Sequence, residues 1–202
     1  IEKHGATCSF YKLYDFPRNF CISLNEEVIH GIPKKDRILK DGDVLKIDGG
    51  VCYKGYHSDA ARTHIIGNVS DEVRALVERT EQSFYEGIKN AVIGNHIYDI
   101  SAGIDDYISK FGYGIVEDYT GHGIGQKVHE DPDVPNYKTL KKGPILQKNM
   151  TLAVEPMITL GTYEIDVLSD EWTVVTRDKS ISAHYENTIV ITDNGAEILS
   201  KI

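Results

Sequence analysis

Four acidic residues stand where a chain of this kind least tolerates them. Asp48 and Asp59 lie in ILKDGDVLKIDGGVCYKGYHSDAARTHII (residues 38–66), Glu155 interrupts TLAVEPMI (151–158), and Glu186 interrupts SAHYENTIVIT (182–192). The apolar, β-branched surroundings predict strands packed on a core. A strand facing a core does not carry an unpaired charge, so each acid must point outward by alternation or have a partner. Exposure accounts for any one of them; four in such settings point to a shared partner.

The rest of the chain sets these strands in context. Residues 38–66 read as a β-hairpin around a Lys54-Gly55 turn, whose arms bring Asp48 and Asp59 within reach of one another across the ladder. Ser70 predicts the cap of a helix carrying Val73, Leu76, Val77, Phe84 and Ile88, stopped by Gly94. A second helix is expected over residues 100–111, with Asp99 as cap and Gly112 just past its end. From residue 150 the chain is strand-rich again, and Asp193-Asn194-Gly195 predicts a hairpin turn. Helices segregated from antiparallel strands give an α+β fold.

A faint repeat suggests two related halves. LKDGDVLKID (39–48) aligns with LQKNMTLAVE (146–155), pairing Leu45 with Leu152, Ile47 with Val154 and Asp48 with Glu155, a carboxylate closing each. A histidine precedes both, His30 by 18 residues and His129 by 26. The second half opens with the 100–111 helix, and the first has little room for a counterpart before residue 20, so an opening helical segment is expected to be missing.

Composition narrows the function classes. The 202 residues fit one domain spanning 1–202 with a sizeable core. A net charge of −9, from 31 acidic against 22 basic side chains, opposes a polyanionic partner and suits cations. Cys8, Cys21 and Cys52 cannot build a disulfide framework, which favours a reducing, cytoplasmic setting. With no apolar run after a basic start and no stretch of about 18 apolar residues, neither a signal peptide nor a membrane span is expected.

The stretch GHGIGQKVHEDP (121–132) admits a phosphate reading and a metal reading. The first fails on context: Gln126 stands where the dinucleotide pattern wants glycine, and Pro132 and Pro135 rule out the helix that would supply the dipole. The metal reading gains from charge, since four carboxylates carry about −4, two divalent ions carry about +4, and one neutral imidazole completes the shell. Oxygen-rich ligation with one histidine suits Mn, Co, Fe or Zn, and a pair of such ions suits hydrolysis.

Five separated segments, NEEVIHGIP (25–33), IDGGVCYKGYHSDAART (47–63), GHGIGQKVHEDPDVPNY (121–137), TLAVEPMI (151–158) and SAHYENTIVIT (182–192), resemble type I methionine aminopeptidases of the pita-bread fold in order and spacing. The resemblance runs from about residue 16 to the C-terminus. It implies pseudo-two-fold halves with a curved antiparallel sheet and flanking helices around a dinuclear centre. Asp48 would chelate one ion, Asp59 and Glu186 would bridge both, and His122 with Glu155 would complete the second. His129 would hydrogen-bond the substrate at the scissile peptide, and His30 would lie at its far side and stabilise the intermediate; neither would be a ligand. Phe16, Cys21 and Trp172 would line the pocket for the methionine side chain.

The implied activity is removal of the initiator methionine from nascent chains with a small second residue, by a dinuclear-metal-activated hydroxide with Glu155 assisting proton transfer. The implied partners are Met-initiated polypeptide N-termini, with transient ribosome association and neither specific nucleic acid nor membrane. Leu13 replaces a tyrosine common in the family, so an altered pocket rim is expected, and Ser58 stands where glycine is common. His57, His64, His96 and His184 show no partner in sequence, and Lys138, Lys141, Lys142 and Lys148 read as a solvated basic loop. A proline-directed aminopeptidase of the same fold and a non-catalytic pita-bread binding protein are the alternatives.

Overall fold

The computed structural model of the chain describes residues 1–201. The first half is built on a hairpin. After β1 (Thr7–Cys8), β2 (Cys21–Leu24) and β3 (Glu27–Ile29), strand β4 (Val44–Tyr53) turns into β5 (Tyr56–Ile65). Lys54 (φ 52°) and Gly55 (φ 83°) are both left-handed, the two-residue turn whose twist matches that of paired strands. β5 pairs with β4 from Val44↔Ile65 to Tyr53↔Tyr56, while β2 and then β1 take the other edge of β4. Before residue 20 the only helical pieces are 3₁₀ turns at Glu2–His4 and Leu13–Asp15.

Two helices follow. In α1 (Asp71–Ile88) the Ser70 hydroxyl accepts a bond from the Val73 amide at 3.3 Å, as expected of the cap. The helix ends at Ile88 rather than at Gly94. The Asn90 side chain donates back to the Glu86 carbonyl at 3.3 Å, and Gly94 (φ 92°) turns the loop beyond. α2 (Ile97–Ile108) begins earlier than expected. Its cap is His96, and Asp99 is the third helical residue, accepting the His96 amide at 2.6 Å in a capping box. A short 3₁₀ turn at Ser109–Phe111 completes the expected span before Gly112.

The second half contains β6 (Gly114–Ile115), β7 (Gly121–Gly123), β8 (Glu130–Val134), β9 (Thr151–Val154), β10 (Met157–Thr159), β11 (Ile165–Val167), β12 (Val174–Thr176), β13 (Ser182–His184), β14 (Asn187–Thr192) and β15 (Gly195–Ile198). A five-stranded sheet runs β15-β14-β9-β7-β8, beside the three-stranded sheets β13-β10-β6 and β11-β12-β3. Asp193 and Asn194 form the expected turn, closed by the Thr192↔Gly195 pair.

Alternation along these strands separates a core from a site. Leu152, Val154, Ile189 and Ile191 pack with Phe84, Ile100 and Ile104 of the helices, and burying each such side chain contributes roughly 1.5–3 kcal/mol. Ala153, between Leu152 and Val154, and its cross-strand partner Thr188 point the other way. There the halves are stitched together: the amides of Ala61 and Glu186 donate to one another's carbonyls at 3.3 and 3.0 Å. The Thr188 hydroxyl accepts the Asp59 amide at 2.8 Å and donates to the Asp59 carbonyl at 3.0 Å.

Candidate metal centre

The stitched seam gathers the acids. Asp48 pairs with Ala61 and Gly50 with Asp59, so Asp48 and Asp59 are diagonal neighbours on one face of the hairpin. The Ala61–Glu186 bonds bring Glu186 to the same place. His122 lies opposite Ala153 on β7, two residues before Glu155 in the neighbouring chain segment. The repeat is less regular than its sequence suggests. Asp48 sits inside the ten-residue β4, whereas Glu155 lies just past β9, at a break before Pro156, whose missing amide suits a strand end. Glu186 likewise stands in the break between β13 and β14.

One ligand atom each from Asp59, His122 and Glu186 lies within 4.8 Å of the others. Asp59 is 3% exposed and Glu186 2%. Burial raises the pKa of Asp48 and of Glu155 to about 7 and pushes Asp59 and Glu186 well above the usual carboxylate range. Mutual repulsion adds to the rise at Asp59 and Glu186. Asp48 Oδ1 is buried without a hydrogen-bond partner. Among the described residues no lysine or arginine forms an ion pair with any of the four.

The imidazole is prepared for the same partner. His122 Nδ1 lies 2.8 Å from the Gly123 carbonyl, which can only accept, so Nδ1 carries the proton and Nε2 keeps its lone pair. Nε2 lies 3.6 Å from Glu155 Oε1. Two lone-pair carriers side by side do not attract; a cation between such groups joins them. Buried oxygens in excess, with one oriented imidazole, fit hard to borderline divalent ions. Gly121 and Gly123 let the backbones close on this wall: a Cβ would meet the Ala153 carbonyl oxygen at 2.3 Å or the Asp131 carbonyl oxygen at 2.2 Å.

The acids floor a cavity of about 820 Å³. Phe16, Cys21 and half-buried Trp172 form one apolar wall, with the Phe16 and Trp172 rings edge-to-face at 5.0 Å. Burial, aided by neighbouring Asp48, holds the Cys21 thiol protonated. His30 stands between this wall and Tyr119, its ring 5.4 Å from the tyrosine and 6.4 Å from Trp172. Its φ of 58° is left-handed, and burial lowers its pKa to about 4. His129 is exposed, its ring 4.4 Å from that of His122. Leu13, where the rim was expected to differ, turns inward onto the Phe10–Phe16 cluster.

His184 is the residue that sequence reasoning passed over. It is 1% exposed, neither ring nitrogen has a hydrogen-bond partner, and Nε2 lies 3.4 Å from Glu155 Oε2. Glu155 is thus bracketed by one imidazole on each oxygen. Its partner Glu155 lies 29 positions away, and nothing in the sequence joins the two. The other histidines set aside engage elsewhere, His57 with Ser9 at 2.8 Å and His96 with the Gly143 carbonyl at 2.9 Å, while His64 is exposed. Two lysines of the basic loop are paired, Lys138 with Asp106 and Lys148 with Asp193. Among the described residues no helix is long and apolar enough to cross a membrane.

Known proteins resemble this chain in sequence and fold. The chain is 53% identical over 202 residues to a methionine aminopeptidase of Clostridium perfringens, covering all of this chain and 81% of that one. It is 52% identical to another from Clostridium acetobutylicum, over 99% of this chain and 80% of that one. The crystal structure of methionine aminopeptidase from Thermotoga maritima superposes with a TM-score of 0.97 at 41% identity, covering all of this chain and 81% of the other. Prolidase from Pyrococcus furiosus is further away, with a TM-score of 0.70 at 26% identity over 91% of this chain and 49% of the other. The α+β pita-bread architecture expected from the sequence is the one these relatives share. The model of metallopeptidase family M24 matches residues 1–193, and the chain belongs to that family.

Proposed function

We propose that this chain is a metal-dependent aminopeptidase that removes N-terminal methionine by hydrolysing the first peptide bond. The observation that carries the reading is the convergence on one cavity of three buried carboxylates, the half-buried Glu155 and one oriented imidazole, with no basic partner, beneath an apolar, sulfur-containing wall. Asp48, Asp59, His122, Glu155 and Glu186 would hold two divalent ions, of Co, Mn, Fe or Zn. When bound, such ions supply an activated water and polarise the carbonyl under attack.

The chain's own residues do the rest. Phe16, Cys21 and Trp172 offer methionine a soft apolar surface, against which a thioether packs well. Glu155 accepts the proton that the attacking water gives up and returns it to the departing amine. His129 donates to the scissile peptide, and His30 steadies the tetrahedral intermediate from the opposite side. Each is available as a neutral imidazole, because desolvation lowers both pKa values. The acidic floor favours a free α-amine, which restricts cleavage to chain ends, and the second residue is small. The substrates are N-termini of nascent chains in the cytoplasm, met during transient contact with the ribosome, in a single catalytic domain.

A metal titration of cleavage of Met-Ala-Ser and of an Xaa-Pro peptide tests this directly. Metal-dependent release of methionine from the first is expected; cleavage of the second alone would make the enzyme proline-directed instead.

A further inference from the structure

The mouth of the cavity holds an aromatic ring that the chemistry at its floor does not use. Lys12 (φ 66°), Tyr14 (φ 49°) and Asp15 (φ 70°) all occupy the left-handed region, and none is glycine. Such residues persist only where their surroundings hold them. Here the Lys12 amide donates to the Phe16 carbonyl and the Phe16 amide to the Leu13 carbonyl, both at 2.9 Å. Leu13 is thereby turned inward and Tyr14 outward. Tyr14 lines the cavity yet stays 69% exposed, so burial does not repay the strain.

The ring is nonetheless placed. It lies parallel to His129, at 5.7 Å between centroids and 15° between planes, and His129 packs edge-on to His122 at 4.4 Å. The three rings form a row from the buried centre to solvent. Apart from His129, the other exposed cavity-lining groups, Asp118, Lys127, Glu130, Asp131 and Asp133, are charged, leaving Tyr14 beside His129 as the exposed aromatic surface at this mouth.

We propose that Tyr14 is a specificity-determining residue that receives the substrate chain beyond its second residue and favours a flat or apolar third side chain. The inference rests on the aminopeptidase reading: with the α-amine at the acidic floor, the rest of the peptide leaves along the row of rings. The third side chain then arrives where a second aromatic face can stack on Tyr14.

The experiment compares kcat/KM for Met-Ala-Phe-Ser and Met-Ala-Gly-Ser in the metal-loaded enzyme. The wild type is expected to prefer the phenylalanine peptide about fivefold, chiefly through KM, the ratio given by one aromatic pair. Tyr14→Ala and Tyr14→Leu should bring the ratio to about one, and Tyr14→Phe should keep it. An exposed side chain makes loss of folding an unlooked-for result, and the Leu and Phe variants hold the bulk constant. A wild-type ratio near one, a preference that survives Tyr14→Leu, or its loss in Tyr14→Phe would overturn the proposal. Cleavage of neither peptide by the wild type would remove the aminopeptidase reading and this inference with it.

Discussion

The floor and the rim of the cavity are both unfavourable local structures, but of opposite kinds. At the floor the backbone is regular, on paired strands and at their ends, and the cost is electrostatic: Asp48, Asp59 and Glu186 are buried beside one another, with half-buried Glu155 among them. At the rim no charge is buried, and the cost is conformational, three left-handed residues in a four-residue stretch. The floor's cost can be removed by a ligand, whereas the rim's is paid whether or not anything is bound. Metal binding should therefore dominate both activity and stability, and changes at the rim should tune them slightly.

Removing an acid of the floor should give the largest effect. Asp48→Ala should lower methionine release about a thousandfold or more, because the ion's several kcal/mol of charge stabilisation go with it. It should also abolish the rise in melting temperature that a divalent ion gives the wild type, an effect worth about 3 kcal/mol at a hundredfold excess over Kd. Calorimetry with and without Mn or Co checks the second point independently of turnover. An unchanged ion-dependent shift in Asp48→Ala would mean that the acids are not a metal centre.

Next in size is the stability of the metal-free protein. The folded pKa values of the acids lie above their unfolded ones, so the folded state binds more protons. Their contribution is intact below about pH 4 and is lost as pH rises through the folded values, about 7 for Asp48 and Glu155. Asp59→Asn relieves the repulsion and should make the metal-free protein more stable than the wild type by about 1–3 kcal/mol near neutrality. The difference should grow from about pH 5 to pH 8. Comparing the two proteins cancels other titrating groups, among them His30 and buried Lys46. Urea midpoints that stay parallel across that range would show that the floor carries no such strain.

The floor was legible because its residues contradict their surroundings. Acids in apolar strand sequence announce a partner, and charge counting together with family resemblance assembled Asp48, Asp59, His122, Glu155 and Glu186 from positions far apart. The hairpin turn at Lys54-Gly55 and the Ser70 cap were equally clear. What was not legible depends on where chains meet. The α2 start was misjudged because Asp99 fits the cap as well as the third helical position, and only the His96 amide decides between them. His184 was set aside because its partner Glu155 is distant in sequence, and Tyr14 because nothing in KLYDFPR marks a left-handed turn at a tyrosine.

His184 gives an intermediate effect that ties the floor to its support. Its Nε2 is 3.4 Å from Glu155 Oε2, on the side away from His122. His184→Ala should lower ion affinity or kcat about 10- to 100-fold, the usual consequence of losing a group that orients a ligand. His184→Gln, whose amide can donate to the same oxygen, should recover most of the loss. Equal defects in both variants would assign His184 to packing alone.

The smallest effect belongs to the rim and is the sharpest test of the contrast. Lys12 has a φ of 66°, and its side chain makes no contact that repays it beyond lying over the Tyr11 ring at 5.4 Å. A left-handed residue with a Cβ costs about 1–2 kcal/mol, and glycine there removes that cost while adding about 0.5–1 kcal/mol of unfolded-chain entropy. Lys12→Gly should therefore stabilise by about 0.5 kcal/mol, with or without metal, and equally at pH 5 and pH 8. That indifference to metal and pH is the point. If the gain appeared only in the metal-free protein, the rim would be relaxing in response to the floor, and the two strains would be one.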